Sequence, residues 1–123
     1  MATQKFSVRR SYAAAGDLSS HRHKLVALNA TTEQIALAGA GAAAFVLEDD
    51  PDAAGIYGSV TVMGVTKVVV GAAINAQVPI TPDASGLAVA ATSTDNVCGI
   101  TLETGGGANE LVTCLIGGQH VLA

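Results

Sequence analysis

The brevity of its apolar segments is what most limits this chain. They are cut repeatedly by glycine, proline and Asp/Asn/Ser turn residues, and the longest uncharged apolar run, Ile35 to Leu47, has thirteen residues and contains Gly39 and Gly41. A membrane-spanning helix needs about 18–20 apolar residues, so none is expected. The 14 Val, 6 Ile and 11 Thr outweigh the 10 Leu, and β-branched residues favour strands. No segment keeps a helical period. Residues 33–47 have the alanine content of a helix, but their glycines oppose one. Hydrophobic residues are 50% of the chain and charged ones 13%, the opposite of a disordered composition. A length of 123 residues is one domain's worth.

Pattern places the strands. Lys24–Leu28, Gln34–Leu37 and Ala42–Leu47 read as three short ones, followed by the loop Glu48-Asp49-Asp50-Pro51-Asp52, whose charges call for water. Gly58 to Val70 is the strongest β signal, with Val60 and Val62 alternating with Ser59 and Thr61 and a bend expected at Gly64. Val78–Thr81 and Leu87–Ala90 flank Pro82-Asp83-Ala84-Ser85-Gly86, a tight turn in which proline presets φ and glycine takes positive φ. Val97–Glu103 is expected to show Cys98, Ile100 and Leu102 on one face. After Gly105-Gly106-Gly107, Glu110–Ile116 pairs back, apolar on both faces and therefore expected to be buried on both, in a barrel or against a second subunit. Gly117-Gly118 precedes a last short strand, Gln119–Leu122. Eight or nine such strands predict an all-β barrel or sandwich spanning residues 25–123.

Charge divides the chain. Residues 1–24 hold five cations against Asp17, a net of +4, whereas residues 25–123 hold Lys67 against nine carboxylates, a net of −8. Residues 1–24 are accordingly predicted to form a basic N-terminal arm, ordered mainly on binding. In it Arg9, Arg10, Arg22 and Lys24 are candidates to meet acidic partner surface, and Phe6 and Tyr12 to hold it by burial. Ala and Gly together make 37 residues and aromatics only four. So few bulky side chains leave a small private core, and neighbouring copies are expected to finish the burial.

Catalytic and cofactor motifs fail on inspection. Gly39-Ala40-Gly41-Ala42-Ala43-Ala44 imitates a dinucleotide fingerprint, but Pro51 leaves no room for the helix that would receive a pyrophosphate. No glycine is followed by lysine, which excludes a P-loop. His21 and His23 are two imidazoles where a closed metal site needs about four ligands, and the acidic loop lacks the spacing of a calcium hand. Cys98 and Cys114 lie in apolar surroundings and read as buried thiols, bridged only if their strands are neighbours. Phe6 and Tyr12 beside Arg9 and Arg10 are a faint nucleic-acid signal, opposed by the acidic body. The expectation is a protein without enzymatic activity, metal or cofactor, and with neither a membrane nor a nucleic-acid partner.

From Gly71 onward the chain resembles the C-terminal half of small tailed-phage capsid decoration (cement) proteins, a β-rich group in which some members carry a recombinase-like label. The resemblance rests on Gly71-Ala72-Ala73-Ile74, the hairpin Val78-Pro79-Ile80-Thr81-Pro82-Asp83-Ala84-Ser85-Gly86, the strand Cys98-Gly99-Ile100-Thr101-Leu102-Glu103 and the closing Glu110-Leu111-Val112-Thr113-Cys114-Leu115-Ile116. Phe45–Asp50 and Gly58–Val65 fit the same pattern, and coverage is roughly residues 25–117. The resemblance implies a virion protein, assembled in the host cytoplasm, that binds the outside of the assembled head. Its partners would be the major capsid protein and its own copies, a homotrimer before a dimer. A tail or fibre component and a small nucleic-acid-binding barrel are the alternatives.

Overall fold

One long strand organises the molecule. In the computed structural model, which describes residues 7–122, β5 (Tyr57–Val69) bends at Gly64, where φ is +128°. Its first half lies between β1 (Ser7–Ala13) and β4 (Phe45–Leu47): Thr61 is opposite Arg9 on one strand and Val46 on the other. Its second half pairs with β9 (Leu111–Val121), from Gly64 opposite Ile116 to Val69 opposite Leu111. A side chain at Gly64 would have to adopt a backbone that L residues rarely take, so glycine permits the change of partner.

The remaining strands among the described residues are β2 (Leu25–Leu28), β3 (Ile35–Leu37), β6 (Pro79–Pro82), β7 (Ala88–Ala90) and β8 (Asn96–Thr101). All pair antiparallel in the order β3-β2-β4-β5-β9-β8-β6-β7, with β1 joined to β5 off that path. The sheet curls into a half-barrel and no helix is present among the described residues, so the all-β expectation holds. Backbone bonds draw the two ends of the sheet together: the Leu25 amide donates to Gly86 O at 2.7 Å and the Gly41 amide to Pro82 O at 2.9 Å. The outermost strands are covered too, β3 by Ala15 N donating to Ile35 O and β7 by Gly71 N donating to Ala88 O. Covered edges of this kind resist uncontrolled strand addition.

Two cores result. The main one, inside the curl, joins Leu25, Val46, Val68, Ile80, Val112, Cys114 and Ile116. The second lies on the other face of β2 and β4 and joins Ala14, Leu18, Val26, Ile35, Leu47 and Val60, with Tyr12 packed against it. Residues 7–24 thus carry β1 and part of a core in addition to their basic side chains.

Several details differ from expectation. Cys98, Ile100 and Leu102 do not share a face. A register shift between Val97 and Gly99 breaks the alternation, so that Cys98 and Thr101 are buried while Leu102 is exposed. Thr101 tolerates this because its hydroxyl donates to Asn75 O at 2.6 Å. Gly117 and Gly118, at φ +132° and +64°, do not separate two strands; β9 continues through them as a bulge. The hairpin at Asp83 forms as expected, with the Ser85 and Leu87 amides donating to Asp83 Oδ1 at 2.8 and 3.0 Å and Gly86 at φ +75°. The Glu110–Ile116 strand is buried on its inner face only.

Candidate interaction surfaces

The basic residues of the N-terminal segment fall on different surfaces. Arg9 and Arg10 are consecutive on β1 and therefore point to opposite faces. Arg10 lies over the Tyr12 ring, 5.7 Å from its centroid, a cation–π contact. Tyr12 is half-buried against the chain's own second core. Arg22 and Lys24 lie in the connection to β2, where Lys24 Nζ donates to His21 Nδ1 at 3.0 Å. Burial and, after it, the Lys24 charge hold His21 below the ordinary imidazole range. Among the described residues neither Arg9, Arg10, Arg22 nor Lys24 makes an ion pair. Phe6 lies outside the described residues.

Arg9 instead lines a polar cleft of about 300 Å³, together with Ser7, His23, Glu48, Thr66 and Lys67. Glu48 is its floor. The carboxylate was expected in a solvated loop, yet Glu48 is only 8% exposed. Thr61 and Thr66 both donate their hydroxyls to Glu48 Oε2, at 2.7 and 2.5 Å, which offsets much of the cost of removing the charge from water. His23 Nδ1 approaches Glu48 Oε1 at 3.9 Å, too far for a hydrogen bond, and has no other partner among the described residues. His21 and His23 occupy a turn, not a strand, and His23 takes φ +68°. Asp49, Asp50 and Asp52 remain exposed. Sequence reasoning missed the buried carboxylate because its only signal was long-range: two threonines on β5 that the fold brings over it.

The second surface is apolar. Beside the Gly117-Gly118 bulge a groove of about 490 Å³ opens, lined by Met63, Pro79, Val97, Ile100, Leu115 and His120 among others. The bulge makes it. Two extra residues on β9 separate the pair Val97–His120 from the pair Gly99–Ile116, so β9 swings out. Among the described residues His120 supplies the one polar side chain in the lining, and its Nδ1 is bonded to Gly118 O at 2.6 Å.

The remaining chemistry-bearing groups are internal. Cys98 and Cys114 are free and buried, and burial pushes their thiols up to about 11 and about 12, so neither is a ready thiolate at neutral pH. Among the described residues no three His, Cys, Asp or Glu side chains gather as a metal would require.

No protein-family profile matches the sequence, and no curated protein is similar to it. The fold has a counterpart among solved structures: the head fiber gp8.5 N base of bacteriophage phi29, with a TM-score of 0.68 at 18% identity, covering 90% of this chain and 94% of that one. At that identity the likeness is one of fold.

Proposed function

We propose that this chain is a non-enzymatic structural protein of a tailed-phage virion, which binds the outer surface of the assembled head and stabilises contacts between major capsid protein subunits. The observation that carries the reading is the fold shared over 90% of the chain with a phage head fibre base. The surfaces support a binding role. Arg9, Arg10 and Arg22 are exposed and unpaired among the described residues, available with Lys24 for acidic capsid surface. Apolar area lies open on the outer sheet face. Cementing is then linkage: a protein that binds the expanded shell and not its dissociated subunits shifts the equilibrium toward the shell by mass action. Closed symmetry favours three copies at three-fold and quasi-three-fold positions, with a pair as the second arrangement.

A fibre component is the second reading, favoured by the fibre base that shares the fold. It places copies at sparse sites beneath a projecting shaft, whereas decoration covers the shell.

The test is to heat purified shells with and without saturating protein. Decoration raises the rupture temperature, and the gain shrinks in high salt because exposed charges are screened. Equal rupture temperatures would count against it.

A further inference from the structure

We infer that the outer face of the β5-β9-β8-β6 sheet is where this chain associates with a second copy of itself. The inference deepens the self-association in the reading above without depending on shell binding.

The face is built by register. Pro79 is opposite Ile100, Ile100 opposite Leu115, and Leu115 opposite Val65. Residues directly opposite in antiparallel strands put their side chains on one face, so these four form an apolar row across four strands. Leu115 is 44% exposed and Val65 42%. Met63 extends the row into the groove, and Leu111, opposite Val69, adds to it along β9. Lys67 and Glu103 stand beside the row and neutralise one another at 3.1 Å.

The occupant follows from charge and area. The chain carries a formal net charge of −4, so copies repel one another at long range and their contact belongs where the surface is neutral. Among the described residues the hydrogen-bonding side chains on this face are few: Thr113 opposite Lys67, the Lys67–Glu103 pair, whose members already bond each other, and His120, whose Nδ1 is bonded to Gly118 O, so the contact is mainly one of apolar fit. An equal apolar face complements it fully, and a second copy supplies one. At about 4.8 Å between strands and about 3.4 Å per residue, β6, β8, β9 and the Met63–Val69 part of β5 make a patch on the order of 450 Å² before side-chain relief adds to it. Two copies together bury on the order of 1,000 Å², about the threshold for a specific interface.

The experiment is sedimentation of the full chain in solution, with no shells present, for the wild type and for Leu115→Glu and Val65→Lys. Both positions are exposed, so circular dichroism is expected to be unchanged. The wild type is expected to sediment as a dimer, because the same face on both copies closes by two-fold symmetry, and each variant to self-associate at least about tenfold more weakly. A wild type that stays monomeric at every concentration overturns the inference, as does an oligomer whose affinity neither variant changes. Failure here with a raised shell-rupture temperature would remove this interface and leave shell binding standing.

Discussion

Two regions carry the same local pattern and differ in cover. In β2 and β4, Leu25-Val26 and Val46-Leu47 are apolar at consecutive positions and completely buried, with Leu25 and Val46 in the main core and Val26 and Leu47 in the second. In β9, Leu111-Val112 and Leu115-Ile116 repeat the pattern, yet Leu111 and Leu115 are 49% and 44% exposed. The roof over β2 and β4 comes from distant chain: Tyr12, Ala14 and Leu18. Among the described residues nothing equivalent crosses the outer face of β9. A two-sided apolar strand is a local property, while the layer that covers it is a property of topology.

The largest expected effect is on the roofed side. Leu47→Ala should cost about 2–5 kcal/mol in urea denaturation, because its neighbours on both sides limit collapse into the cavity. A cost below about 1 kcal/mol would mean that the second core is not packed. Leu115→Ala is the counterpart on the open side. Measured at dilutions where copies are separate, it should stay within about 0.5 kcal/mol of wild type. A loss as large as that of Leu47→Ala would erase the contrast between the two regions.

The smallest effect is at the edge of the open face. The Thr113 amide, and after it Lys67, hold the Glu103 carboxyl below its ordinary 4.5. A depressed carboxylate contributes stability above its unfolded value and loses it as pH falls through the folded one. Wild type should therefore melt slightly above Glu103→Gln at neutral pH, and the lead should vanish on acidification below the usual carboxylate range. The lead should be small because the pair is exposed and solvent-screened. A lead that grows in acid contradicts this account.

From β2 onward the strand positions were legible because their signals are local, whereas β1 (Ser7–Ala13), read as part of a basic arm, is a strand because it pairs with distant β5. The Pro82–Gly86 turn, the bend at Gly64 and the β-branched run around it are readable from neighbours in sequence. Three features were not. Glu48 is buried by hydroxyls from Thr61 and Thr66 on another strand, a pairing that no spacing announces. The bulge at Gly117-Gly118 depends on register with β8, and it shifted which residues of β8 face inward. The exposure of Leu111 and Leu115 depends on what lies above them. For the site, the basic residues were visible, but their division between a cleft at Arg9 and a cation–π stack at Arg10 comes from the pleat of β1 and its place beside β5.

The most direct test of the account is a map of where copies sit on an intact particle. The account predicts density of this half-barrel on the outside of the head, touching the major capsid protein at subunit junctions, with neighbouring copies meeting through the Val65–Leu115 face. A particle whose head carries no such copy, or carries it only on the inner surface, would contradict the account.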